Sequence, residues 1–233
     1  MPEVIFNGAE GRLEGKYHHS SQNNAPVALV LHPHPVHGGT MNNKVVYNLY
    51  KTLSDNGFSV LRFNFRGVGK SQGKYDNGIG ELTDAATALD WLQLQNTQSS
   101  TYWIVGFSFG AWIALQLLMR RPEITNFITV SPPAGKYDFS FLTPCPSPGL
   151  IIQGDKDTVV SEKNVFELVE KLSNQKNSSI SYEVIKDADH FFREKIEEFS
   201  QVVDEYIKEQ LSANKPKKTK NDKRRKKSFS LDD

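Results

Sequence analysis

A serine, a histidine and a few aspartates are the residues of this chain whose types and placement could do covalent chemistry. Ser108 lies in Gly106-Phe107-Ser108-Phe109-Gly110. The preceding Tyr102-Trp103-Ile104-Val105 is aromatic and β-branched and predicts a buried strand. The following Ala111–Met119 is long and rich in helix formers. Strand, Gly-x-Ser-x-Gly, helix is the setting of a nucleophile elbow, a sharp turn that lifts the serine hydroxyl above a sheet. Gly106 and Gly110 are expected to be glycine so that strand and helix can approach, with Ser108 in a strained conformation.

A serine hydroxyl is a weak nucleophile. It needs a base, and the base needs an orienting acid. An apolar segment at Leu150–Ile152 runs into Gln153-Gly154-Asp155-Lys156-Asp157-Thr158-Val159-Val160. A β-branched segment at Ile180–Ile185 runs into Lys186-Asp187-Ala188-Asp189-His190-Phe191-Phe192. His190 is the candidate base, and Asp155 and Asp157 compete as the acid. Asp187 and Asp189 sit too close to His190 in sequence to reach its far nitrogen easily, and are expected to be solvated loop carboxylates. Each piece is weak evidence alone, but a serine, an acid and a histidine in that order, each just past a strand, form a specific combination.

The elements that must position these residues alternate. Val4–Phe6 and Arg12–Tyr17 predict a hairpin around Asn7-Gly8. Val27–Leu31 is apolar without alternation, as expected of a strand covered on both faces. Further strands are predicted at 58–63, 102–105, 127–130, 150–152 and 180–185, and helices at 43–55, 81–95, 111–119, 162–172 and 194–211. This order predicts an α/β fold with a mostly parallel central sheet and helices on both faces. In such sheets the chemistry gathers at the carboxyl ends of the strands.

The sequence resembles the α/β-hydrolase superfamily over roughly residues 4–210. More closely it is similar to a small lidless, esterase-like group with His-Pro-His-Pro after the third strand and Arg-Phe-Asn-Phe-Arg-Gly after the fourth. Here these are His32-Pro33-His34-Pro35 and Arg62-Phe63-Asn64-Phe65-Arg66-Gly67. The resemblance implies an α/β-hydrolase fold and cleavage of carboxylic esters or thioesters without a cofactor. It implies Ser108 as nucleophile, His190 as base and then acid, and Asp157 as the orienting carboxylate. The superfamily pattern of glycine, two residues, aspartate and then aliphatics fits Gly154, Asp157, Val159 and Val160, and so favours Asp157 over Asp155. The oxyanion needs two backbone N–H donors. Phe109, next to the nucleophile, supplies one. Pro33 and Pro35 have no N–H, which leaves His34 or Val36 for the other, and His34 matches the superfamily position. Phe107, Phe109, Phe191 and Phe192 are candidate apolar walls for substrate. The stretch between 130 and 150 holds five prolines and is too short for a lid domain, so the site should be open and suited to short acyl esters.

Other chemistries fit less well. His32, His34 and His37 suggest a metal cluster, but two prolines stiffen the segment and neither Asp nor Cys clusters nearby, so no metal is expected. Gly67-Val68-Gly69-Lys70-Ser71 looks like part of a phosphate loop, but Asn64 stands where the first glycine is required. The segment is instead expected to be a turn bordering the active-site mouth. A hydrolase fold kept as a binding or scaffolding module, and a peptidase, are the alternative readings.

A chain of 233 residues fits one domain, 1–212, followed by a tail, 213–233. The formal net charge of +1 is uneven. The tail carries nine Lys/Arg and three Asp, which leaves 19 basic and 24 acidic residues in 1–212, a net charge of −5. The tail is expected to be disordered, with weak nucleic-acid or acidic-surface contact as its possible use. No membrane span or secretory signal is expected. Cys145 is the only cysteine, which suits a reducing, cytoplasmic location and excludes an intrachain disulfide.

Overall fold

The computed structural model describes residues 3–176 and 178–213. The basic tail falls outside the described residues. Eight strands form one sheet in the order β1-β2-β4-β3-β5-β6-β7-β8. They are β1 (Glu3–Gly8), β2 (Gly11–His18), β3 (Val27–Leu31), β4 (Ser59–Phe63), β5 (Tyr102–Phe107), β6 (Ile124–Val130), β7 (Gly149–Gly154) and β8 (Ile180–Ile185). β1–β2 and β2–β4 are antiparallel, and every other pair is parallel. The helices are α1 (Lys44–Asp55), α2 (Ile79–Gln95), α3 (Phe109–Leu118), α4 (Glu162–Ser173) and α5 (Ile196–Ala213). None of the described helices is long and apolar enough to cross a membrane.

The apolar pattern explains the layers. β3, β4, β5 and β7 are buried along their whole length, as strands with helices on both faces must be. α2, α3 and α4 pack against one face, where Leu29, Leu31 and Ile104 meet Leu89, Ile113 and Val165. α1 and α5 cover the other, where Val30, Trp103 and Val105 meet Leu49 and Val203. α1 buries Val45, Val46, Leu49, Tyr50 and Leu53 at helical spacing, and the Asn43 side chain accepts the Val45 N–H at 2.9 Å to cap it.

The opening hairpin differs from expectation. Asn7 and Gly8 belong to β1 and pair with Arg12 and Gly11, so the turn falls at Ala9-Glu10. Phe6 and Leu13 are both buried and face each other in this register, and a turn at Asn7-Gly8 would separate them.

The Arg62–Gly67 block reads as bracing. Arg62 donates to the Met41 carbonyl at 2.5 Å and the Asn42 Oδ1 at 3.0 Å. Asn64 Oδ1 accepts the Met41 N–H at 2.8 Å, and its amide donates to Glu14. Arg66 makes a two-pronged contact with Asp84 on α2, at 3.0 and 2.8 Å, in which both side chains are almost fully buried. The glycine-rich turn that follows does not border the active-site mouth, contrary to expectation. It folds onto the β1–β2 hairpin, with Gln72 N–H donating to the Arg12 carbonyl at 2.8 Å and Lys70 N–H to Glu14.

Candidate active site

The parallel strands deliver the candidate residues to one end of the sheet. Ser108 follows β5, His32–His37 follow β3, Asp157 follows β7 and His190 follows β8. Ser108 has φ 54° and ψ −119°, a conformation L-residues rarely adopt. Such strain costs on the order of 1–3 kcal/mol and persists only where the surroundings enforce it. Here the enforcement is steric. A Cβ on Gly106 would run into the Gly110 carbonyl, and one on Gly110 would sit 2.5 Å from the Leu31 carbonyl and 2.6 Å from that of His32. Both glycines therefore let α3 start against the strand ends.

Three side chains form a hydrogen-bonded line. His190 Nε2 lies 3.2 Å from Ser108 Oγ, and His190 Nδ1 lies 2.7 Å from Asp157 Oδ2. The carboxylate can only accept, so Nδ1 carries the proton and Nε2 is left as the acceptor for the serine O–H. The Asp157 side chain is fully buried and that of His190 nearly so. Asp157 Oδ1 accepts the N–H groups of Val159 and Val160, each at 2.8 Å, and Oδ2 also accepts the Gln153 amide at 3.1 Å. Burial alone would raise the Asp157 pKa. The hydrogen bond and charge of His190, with the two backbone donors, outweigh it and hold the carboxyl below its ordinary range. Asp155 is elsewhere, accepting the Asp187 N–H at 2.6 Å. Asp189 caps its own loop, accepting from Phe191 and Arg193 N–H at 3.2 and 3.0 Å.

Two backbone N–H groups beside Ser108 remain free. Neither His34 nor Phe109 N–H donates to a backbone or side-chain acceptor among the described residues, and both residues line the same cavity as Ser108. The competing Val36 N–H is occupied, donating to His34 Nδ1 at 3.2 Å. Since that donor requires a bare Nδ1, the His34 ring carries its proton on Nε2, which sits 3.2 Å from the Tyr75 hydroxyl. His32 braces this loop from below. Its ring is fully buried, its Nδ1 contacts the Pro33 carbonyl at 2.6 Å, and its Nε2 accepts the Phe65 N–H at 3.0 Å. Burial, with His34 nearby, pushes the His32 pKa down to about 4 against the opposing Pro33 contact. Among the described residues no three His, Cys, Asp or Glu side chains converge as metal ligands.

The cavity over Ser108 has a volume of about 330 Å³, and Ser108, His190, Phe109 and Phe191 all line it. Two of the expected aromatic walls are elsewhere. Phe107 is fully buried behind the imidazole, its ring 5.0 Å from that of His190. Phe192 has φ 52°, which turns it away from its neighbour and into the core, 5.0 Å from the Phe199 ring. Residue type does not separate Phe191 from Phe192; the backbone conformation does. A larger cavity of about 470 Å³, between Ala134–Thr143 and α4, contains none of the three aligned side chains.

Sequence reasoning missed several contributors. Gln153, at the end of β7, braces Asp157, and the only signal for it is its position next to the aspartate loop. Tyr75 holds His34 from 41 residues away. Tyr137 lines the cavity with its ring 4.4 Å from that of Trp112 and tilted to it, and no local pattern marks either.

Residues 36–148 match the family model for the α/β-hydrolase fold. A crystal structure from Agrobacterium tumefaciens, a protein of unknown function described as a candidate α/β hydrolase, is 52% identical and superposes with a TM-score of 0.89, covering 92% of this chain and 100% of that one. This chain belongs to the α/β hydrolases. Another member, from Xanthomonas campestris and described as a serine hydrolase without a lid, is 32% identical with a TM-score of 0.80, covering 90% of this chain and 94% of that one. An uncharacterized Rickettsia prowazekii protein is 60% identical over 89% of each chain. The lidless description suits this α/β hydrolase, whose connection from β6 to β7 (131–148) contains no helix.

Proposed function

We propose that this α/β hydrolase is a serine hydrolase that cleaves small carboxylic esters or thioesters through an acyl-enzyme on Ser108. The observation that carries the reading is the continuous hydrogen-bonded line from Ser108 through His190 to the buried Asp157, open at its serine end to a cavity. In the first half-reaction His190 Nε2 takes the serine proton as Oγ attacks the carbonyl carbon. The oxyanion is met by the free N–H groups of His34 and Phe109. His190 then passes the proton to the departing alcohol or thiol. In the second half-reaction a water attacks the acyl carbon and loses a proton to His190 Nε2; the acyl–Oγ bond then breaks, freeing the acid as His190 returns the proton to Ser108 Oγ. Asp157 stays ionised throughout, holding the imidazole tautomer and stabilising the imidazolium. The bracing by the Arg62–Gly67 block and His32 fits the small lidless group that the two motifs resemble. The lone thiol, Cys145, fits a cytoplasmic setting.

The cavity is small and uncovered, which favours short acyl chains. Hydrolysis of p-nitrophenyl esters from acetate to palmitate tests this. Short esters should be preferred, and Ser108→Ala or His190→Ala should lower turnover roughly 10³-fold or more. A preference for palmitate, or near-normal turnover in either variant, contradicts the proposal.

A further inference from the structure

The polar lining of the Ser108 cavity is one-sided in charge. His34, His37, Asn43, Lys136 and His190 contribute to it, and no Asp or Glu does. Asp157 is shielded behind His190 with its side chain fully buried. His34 is committed to its neighbours, with Nδ1 accepting the Val36 N–H and Nε2 against Tyr75. His37 and Lys136 are both exposed; the His37 ring lies 4.4 Å from that of His34, and Lys136 has no side-chain hydrogen-bond partner among the described residues. Among the described residues no carboxylate pairs with Lys136. The rest of the rim is apolar, with Val159, Pro133 and Phe191 contributing. Lys136 is the one fixed charge in this lining; on its other side it borders a second cavity that Asp155 and Glu162 also line, and it pairs with neither.

We propose that the substrate carries an anionic group, a carboxylate or phosphate, a few atoms from the scissile ester, and that Lys136, in the same cavity lining as Ser108, selects for that charge. The proposal rests on the serine-hydrolase reading and adds the substrate class. An amphiphilic acid would place its anion against Lys136 and its short hydrocarbon part against Val159 and Phe191. A neutral ester of the same length would leave the lysine ammonium unanswered, and a cationic one would be repelled. Because the rim is wet, the preference is moderate and weakened by salt.

The test compares kcat/KM for two charged and neutral ester pairs, each normalised to its rate with hydroxide. In p-nitrophenyl hydrogen glutarate against p-nitrophenyl valerate the charge lies in the acyl half. In 4-carboxyphenyl acetate against 4-methylphenyl acetate it lies in the leaving group. At low ionic strength at least one pair should favour the charged ester by about tenfold. Lys136→Glu should lower that ratio by at least tenfold, Lys136→Arg should retain it, and 0.5 M sodium chloride should compress it. Ratios at or below one in both pairs, or a ratio unmoved by Lys136→Glu, overturn the proposal. If the neutral esters are cleaved only when Ser108 is present, such a result removes the charge selection and leaves the serine-hydrolase reading intact. If turnover is absent for the charged and the neutral esters alike, or survives Ser108→Ala, the underlying reading fails, and this proposal with it.

Discussion

Acidification should destabilise the protein through the buried ring beneath the His34 loop. His32 is fully buried, and its Nε2 accepts the Phe65 N–H, a role only the neutral ring can play. Its pKa is pushed down from 6.5 to about 4 in the folded chain. The sign follows from linkage. Above pH 6.5 the ring is neutral in both states and its contribution is complete. Between pH 6.5 and 4 the unfolded chain takes up a proton that the folded chain refuses, and stability falls. Below pH 4 both states are protonated and the loss levels off. At 1.36 kcal/mol per pKa unit the window corresponds to about 3 kcal/mol. Other groups titrate in the same range, so the quantity to measure is a difference. Urea unfolding at 25 °C from pH 7.5 to 4 should be run on wild type and on His32→Gln, whose amide oxygen can still accept the Phe65 N–H without titrating. The stability gap between them should shift by about 3 kcal/mol against wild type as the pH falls. A gap constant to within about 0.5 kcal/mol across that range would refute the neutral, wedged imidazole.

Three further outcomes follow from the same geometry. Asp157→Asn should lower kcat about 10⁴-fold in ester hydrolysis, because the amide no longer fixes the imidazole tautomer, whereas Asp155→Asn, which alters only the contact with the Asp187 N–H, should cost less than about tenfold. Gly110→Ala should destabilise by several kcal/mol in urea unfolding, since its Cβ would meet the rigid Leu31 carbonyl at 2.5 Å. The adjacent phenylalanines should separate by assay: Phe192→Ala should cost about 3–5 kcal/mol of stability as a core truncation, while Phe191→Ala should raise KM with a smaller stability loss.

Much of this site is legible in the sequence because the chemistry is tied to local patterns. The strand before Ser108 and the helix after it are apolar in different ways, and the two flanking glycines have a steric reason that needs no partner chain segment. Asp157 follows an apolar strand and His190 a half-exposed one with β-branched residues, so their arrival at one end of a parallel sheet follows from topology. The choice between Asp155 and Asp157 needed the family pattern, because both are two-residue neighbours in one loop and only backbone geometry decides which one reaches His190. Contacts made across the fold left no local trace. Phe192 and Phe191 are the same residue type, separated by one positive φ angle. Asn7-Gly8 is a strong turn signal, yet burying Phe6 against Leu13 fixes a register that puts the turn two residues later. The place of the Gly67–Gly73 turn after β4 points to the active-site mouth, whereas its hydrogen bonds to Arg12 and Glu14 draw it to the β1–β2 hairpin.

If the proposed chemistry holds, Ser108 is an activated nucleophile. Labelling with a fluorophosphonate probe, read by intact-protein mass spectrometry on wild type and Ser108→Ala, tests it most directly. A single adduct is expected on wild type, located at Ser108, and none on the variant. An unlabelled, well-folded wild type, or an adduct that persists in Ser108→Ala, would contradict it.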